Sequence, residues 1–432
     1  MSTVGIVCEY NPFHKGHLHQ IEKAKKITGA DHVICFMSGN FLQRGVPALA
    51  DKFTRAEIAL KCGADVIFEI PFVYSTASAR DYATAAVTMM EMSGIIDYIS
   101  FGAETDDINL LSHIADIVEN EPHQVSALIQ KYMSCGMTYG AARADAIAEY
   151  IFDKNTNTSL EYNGYSKDMI DHILSSPNNI LAIEYIAALK RIGSTIKPAI
   201  IKRVISDYNS SETSHDICSA SAIRNILETA DIEEIKRHVP EVCYQHLSSC
   251  YKISFPIYDD TLSNLLIAAR LFYDRDQRFD HSTKLPPDIV DMDNDLYNRL
   301  MKLNKTLSFS ETAMSLKCRN YTLTHIQRAI LHYITQVSGN DYTQYKAGGW
   351  IYYLRLLGLN TKAGNTIKKM KKGTDIPVIT KASDFHSMLN GYGISMFRYD
   401  IKSTDIYNSL VYNMYGTKLR NEFEHTIPVI TR

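Results

Sequence analysis

Gly5-Ile6-Val7-Cys8-Glu9-Tyr10-Asn11-Pro12-Phe13-His14-Lys15-Gly16-His17 is the stretch whose reading decides the fold. It begins as an apolar strand, turns at Asn11-Pro12, and opens a helix at His14-Lys15-Gly16-His17. A strand feeding a helix N-terminus makes an anion site, because free backbone N–H groups and the helix dipole face whatever sits at the junction. His14 and His17, three apart, project from one face of the first turn. Gly16 between them removes a Cβ where a ligand must approach the backbone closely. Two imidazole donors, bare amides and a glycine suit a nucleoside triphosphate.

Outward from this junction the chain alternates short apolar runs with helical periodicity. Strands are predicted at 3–8, 32–37, 65–70, 98–101 and 197–205, with helices at 14–28, 51–62, 78–93, across 108–152, and at 177–191. Such alternation implies right-handed βαβ units and a parallel sheet, with ligands beyond the carboxyl ends of its strands. His14, Ser38–Arg44, Pro71–Tyr74 and Gly102–Glu104 all fall at such ends. Residues 153–176 read as an exposed loop with a helical piece. Ser219 caps a further helix. Beyond about 230 the pattern is helix after helix, at 232–250, 261–274, 293–304, 322–337 and 346–357, with a small strand pair around 376–379 and 426–430. The expected fold is therefore α/β: a Rossmann-like parallel-sheet domain over 1–228, then a mainly α-helical domain over 229–432.

The 432 residues exceed one ordinary domain. Forty-five per cent are apolar and 22% charged, a globular composition. A net charge of −3 argues against a generally basic nucleic-acid coat but leaves room for a local basic patch. The eight cysteines include no Cys-x-x-Cys pair, so neither a zinc site nor a disulfide framework is read, and a reducing, cytoplasmic setting is expected. No signal region precedes the first strand, and no apolar run of about 18 residues predicts a membrane span.

His-x-Gly-His after a first strand resembles the signature of the nucleotidyltransferase superfamily. The longer string Glu9–His17, followed by Met37-Ser38-Gly39-Asn40-Phe41-Leu42-Gln43-Arg44-Gly45, resembles the bacterial tRNA(Met) cytidine acetate ligase family. The resemblance implies that His14 and His17 contact phosphates in adenylyl transfer, where pre-aimed donors lower the barrier. It implies an ATP pocket lined by Val7, Cys8, Glu9, Tyr10, Asn11, Pro12, Phe13, His14, Lys15, Gly16, His17, Leu18, His19 and Gln20. It adds Gly102, which is otherwise simple strand-end punctuation, and one asparagine of Pro177-Asn178-Asn179, taken here as Asn178 although the choice stays open. Arg203 closes the last strand. Ser219-x-Ser221-x-Ile223-Arg224 resembles the Ser-Ser-Thr-x-Ile-Arg sequence of related adenylyltransferases, so Ser221 and Arg224 join the set; Ala220 departs from that pattern at one hydroxyl position.

Two stretches remain. The Ser38–Gly45 loop reads as a turn by composition, or as a mobile, phosphate-facing substrate loop in which Gln43 and Arg44 have no derivable role. Lys52 and Arg55, at the next helix start, read equally as solvated surface or as phosphate or tRNA contacts. In the second half, Lys362, Lys368, Lys369, Lys371 and Lys372 crowd one segment without an acid, and Lys317, Arg319, Tyr321, Thr324, His325, Gln327 and Arg328 form a basic–aromatic stretch. An RNA-acting family needs such surfaces, so Arg319, Arg328, Lys368, Lys369, Lys371 and Lys372 are taken as tRNA contacts. The implied reaction uses ATP, with Mg2+ expected for the triphosphate, and acetate. It acetylates N4 of the wobble cytidine, position 34, of elongator tRNA(Met). A small-molecule adenylyltransferase of the pantetheine-phosphate or nicotinamide-nucleotide type, and a catalytically inactive nucleotide-dependent RNA-binding protein, are the alternative expectations.

Overall fold

The computed structural model describes residues 2–153, 164–203, 218–279 and 288–431. Its centre is one sheet of order β5-β4-β1-β2-β3-β6-β7, with β8 pairing β6. The strands are β1 Thr3–Cys8, β2 His32–Ser38, β3 Val66–Ile70, β4 Tyr98–Ala103, β5 Lys197–Lys202, β6 Leu354–Asn360, β7 Val378–Ile379 and β8 Val429–Ile430. The first five pair in parallel throughout. The predicted end of the last strand at 204–205, and residues 154–163 of the loop placed at 153–176, lie outside the described residues, while the helical piece expected in that loop is Lys167–Ser175.

Side chains alternate across the sheet, as the two-residue period of a strand requires. Ile34 and Phe36 of β2 enter the larger core, beside helices Ala79–Ser93 and Pro177–Arg191. Val33, Cys35 and Met37 enter the smaller one, beneath helices Lys15–Thr28, Lys52–Lys61 and Glu241–Cys250. The chain winds β1→β2→β3 to one side and returns through β4→β5 on the other, so strand order reverses between β1 and β4. That is the switch point, where a crevice opens at the strands' carboxyl ends.

Beyond residue 230, two expectations are overturned. The helix predicted over 232–250 is a short turn Ile232–Ile235 followed by a separate helix Glu241–Cys250 that starts after Pro240. Residues 346–357 were predicted helical; the helix Gly339–Ala347 ends earlier and β6 follows at Leu354. β6 runs antiparallel to β3, with a register shift at Ile67/Phe68, so the sheet is mixed at that edge. Strands form at both places expected to make a small pair, 376–379 and 426–430, but they do not pair with each other: β7 and β8 each pair β6. The sheet is thus built from both halves of the chain. Among the described residues no helix is long and apolar enough to cross a membrane.

Candidate active site

The turn after β1 carries the site. Tyr10 adopts a left-handed backbone (φ 49°), and His14 caps the following helix. The Nδ1 of His14 accepts the Gly16 N–H at 3.0 Å, and the Nδ1 of His17 accepts the His14 N–H at 3.2 Å. The two rings stack at 3.7 Å. Burial, then the nearby Arg203 charge, pushes His14 down to about 4. Burial, then His14 and Arg203, holds His17 well below the ordinary range. Both imidazoles are therefore neutral at physiological pH. With Nδ1 accepting from the backbone, the proton sits on Nε2, and each ring offers an Nε2–H donor. Tyr10 and Phe13, each 1% exposed, form the floor: Tyr10 packs on Phe13 at 4.7 Å and on His17 at 4.9 Å. They support the histidines rather than line an open pocket, and Cys8 is buried as well.

Across the switch point, the Arg203 guanidinium donates to Asn178 Oδ1 at 3.1 Å, and Asn178 Nδ2 donates to Glu104 Oε1 at 2.7 Å. A Cβ on Gly102 would lie 3.2 Å from Arg203 Cγ, so glycine there leaves room for the arginine stem. The two neighbouring asparagines sit differently. Asn179 is fully buried, its Oδ1 taking the Glu104 N–H at 2.9 Å, whereas Asn178 is half-buried beside Arg203. At the third corner, Arg224 donates to Asn11 O at 2.9 Å and to Ser221 Oγ at 2.8 Å. Arg203, joined to Asn178 and packed by Gly102, thus lies near enough to act on both histidines, while Arg224 and Ser221 meet the Asn11 turn just before them. Arg44, Arg203 and Arg224 make no ion pair among the described residues.

The Ser38–Gly45 loop was expected to be mobile, and it is pinned. Gln43 donates its N–H to Glu9 Oε1 at 2.9 Å and its Nε2–H to Ala77 O at 3.1 Å. Gly45 has φ +79°, and a Cβ on it would lie 2.6 Å from the Arg328 Cα of helix Leu323–Thr335. Beneath the loop, Lys52 and Arg55 are neither surface groups nor ligand contacts: they are 0% and 2% exposed. Arg55 donates to the carbonyls of Glu9 (2.6 Å), Ser38 (3.1 Å), Ala50 (2.9 Å) and Gly39. It ties the carboxyl ends of β1 and β2 together. Lys52 donates to both oxygens of Glu69 at 2.7 and 2.8 Å and to Glu422 at 3.2 Å; Arg355 also meets Glu422, at 3.3 Å. Nothing local in the sequence announced this network, except that Glu69 interrupts an apolar strand.

The remaining candidates divide. Lys368, Lys369, Lys371 and Lys372 are exposed on helix Gly364–Gly373, and Arg319 is exposed beside Gly136. Arg328 is not available as an RNA contact: it is 7% exposed, with Nε on Asp291 at 3.1 Å, under the loop that Gly45 closes.

Residues 1–422 match the HIGH Nucleotidyl Transferase family. A tRNA(Met) cytidine acetate ligase of Thermoanaerobacter sp. (strain X514) is 35% identical over 410 residues, covering 94% of this chain and 95% of that protein. One from Clostridium perfringens (strain SM101 / Type A) is 34% identical over 421 residues, covering 95% and 96%. Among solved structures, Thermotoga maritima TmcAL bound with alpha-thio ATP superposes with a TM-score of 0.85 at 26% identity over 100% of both chains.

Proposed function

This chain belongs to the tRNA(Met) cytidine acetate ligase family, and from that premise we propose that it activates acetate with ATP and acetylates N4 of the wobble cytidine of elongator tRNA(Met). The observation that carries this reading is the neutral His14/His17 pair at a helix N-terminus, flanked by three arginines with no ion-pair partner among the described residues. Neutral Nε2–H donors and guanidiniums that meet no carboxylate suit a polyphosphate whose charge shifts toward the leaving group. The acetate carboxylate attacks the α-phosphorus, pyrophosphate leaves, and the acetyl-adenylate then acylates the cytidine amine.

In this reading, residues 1–228 supply adenylation and residues 229–432 the grip on tRNA, with Arg319 and the exposed lysines of helix Gly364–Gly373 meeting phosphates. Mg2+ would enter as the counter-ion of the triphosphate, whose charge it offsets. Incubation with ATP, labelled acetate and a tRNA pool tests the proposal. Labelled N4-acetylcytidine in elongator tRNA(Met) is the expected product. Pyrophosphate release driven by a metabolite, without RNA labelling, would replace it with a small-molecule adenylyltransferase. Binding of ATP and RNA without any turnover would make the chain a non-catalytic binder.

A further inference from the structure

Acyl transfer to the exocyclic amine of cytidine needs a proton acceptor, because the attacking nitrogen must shed a proton to become an amide. Neither histidine can serve. Each Nδ1 already accepts a backbone N–H, and each Nε2 carries the proton. Glu9 is occupied by the Gln43 N–H at 2.9 Å, and Glu104 by Asn178 at 2.7 Å.

Asp259 is different. It begins the short turn Asp259–Leu262, in the half of the chain that follows the nucleotide-site motifs, and is half-buried. Among the described residues its carboxylate takes no hydrogen bond and forms no ion pair. By contrast, the adjacent Asp260 accepts the Ser310 N–H at 2.8 Å. The segment before Asp259 is tethered to the site in two steps. Ile257 N–H donates to Leu49 O at 3.0 Å, and Leu49 N–H donates to Asn11 Oδ1 at 2.7 Å. Arg224 reaches the same Asn11, at its carbonyl. The charged groups facing Asp259 are Arg224 and Glu228 of helix Ala220–Thr229, Arg44 of the pinned loop, and Asp260 of its own turn.

We propose that Asp259 is the general base of the acyl-transfer step, an inference that rests on the ligase reading above. The cytidine nitrogen attacks the acetyl carbonyl and an N–C bond forms. The acyl C–O bond to AMP breaks, AMP leaves with that electron pair, and one amine proton passes to the Asp259 carboxylate. Burial pushes this carboxyl up to about 6, against the pull of Arg224 and Arg44. A base titrating close to the working pH is far better matched to proton removal than an ordinary aspartate near 3.9.

Asp259→Asn keeps the shape and removes the base, and Asp259→Ala checks it. Two rates are read on the full chain: acetate-dependent ATP–pyrophosphate exchange, which reports adenylation, and single-turnover acetyl transfer to saturating tRNA. Transfer should fall by at least ~10²-fold more than exchange, as general-base loss does. The wild-type transfer rate should rise with pH through about 6, and Asp259→Asn should lose that rise. Equal losses in both rates, or a transfer rate that saturating tRNA restores, would overturn the assignment. A wild-type protein that shows no acetate-dependent exchange would remove the ligase reading itself, and the inference with it.

Discussion

Replacing Lys52 by Met tests whether the buried charge network under the Ser38–Gly45 loop is what holds that loop. Burial works to discharge Lys52, yet the Glu422 and Glu69 carboxylates more than offset it, and its pKa lies above the ordinary lysine value. Asp400, also fully buried, is pushed up to about 8 by burial and by Glu69, so it is mostly protonated at neutral pH. The network is then balanced, with Lys52 and Arg355 against Glu69 and Glu422. Met fills the volume but leaves one excess negative charge among groups no more than 1% exposed. Breaking a buried pair on one side costs about 3–5 kcal/mol, because the partner stays desolvated and uncompensated. The urea midpoint should drop accordingly. Lys52→Met with Glu69→Gln should recover part of the loss, since the double change restores neutrality. The sign with pH is fixed. Without Lys52, Glu69 sits further above its unfolded value, so the folded variant binds more protons than the unfolded chain. Its deficit therefore grows as pH rises and shrinks as pH falls toward the unfolded glutamate range. A loss under about 1 kcal/mol, typical of an exposed pair, or a double variant weaker than the single, would refute the balance argument.

His14→Ala or His17→Ala should abolish acetate-dependent pyrophosphate exchange while tRNA affinity, read by filter binding, persists; loss of RNA binding alone would contradict the division of labour. Because His14 is lowered to about 4 from an ordinary 6.5, the unfolded chain takes up protons first, so this pair should erode stability as pH falls from about 6.5 toward 4, visible in melting curves that His14→Ala flattens. Gly45→Ala must place a Cβ against the backbone of Arg328 in a left-handed conformation, and the backbone conformation alone costs about 1–2 kcal/mol, so its thermal midpoint should fall and ATP affinity weaken. Neutralising Lys368, Lys369, Lys371 and Lys372 together should weaken tRNA binding and flatten its dependence on log salt, whereas unchanged affinity would return that helix to ordinary surface.

What could be read in advance was whatever local chemistry settles. β1 through β4 are short apolar runs stopped by Pro71 or loosened by Gly102, and both signals act within a few residues. The histidine pair was legible because its capping partners lie within three positions. β6 was not. Leu354-Arg355-Leu356-Leu357-Gly358-Leu359 is apolar on both faces because the sheet is covered on both sides, and such a run carries no two-residue period. Its one charge, Arg355, is acceptable only because Glu422 arrives from 67 positions away. Lys52, Arg55 and Arg328 failed for the same reason: at a helix start or on a basic stretch, a lone sequence cannot tell a solvated cation from one whose partners come from elsewhere in the fold.

The site therefore depends on long-range closure more than its compact motif suggests. The Glu9–Asn11 turn receives Gln43 on its carboxylate, Arg55 on the Glu9 carbonyl, Arg224 on the Asn11 carbonyl and Leu49 on the Asn11 side chain. Leu49 is itself gripped by Ile257, and Asn40, in the loop with Gln43, donates to Thr404 at 3.4 Å. Stacked neutral imidazoles gain nothing from each other's charge, so the backbone hydrogen bonds and the Tyr10 and Phe13 rings beneath must aim them. A Tyr10 held in a left-handed conformation persists only where its surroundings over-determine it. Contacts from segments some two hundred and four hundred residues further along the chain supply that over-determination. Donors placed in advance spend no binding energy on reorganisation when the phosphate charge moves, and here that placement is a property of both halves of the chain folded as one sheet.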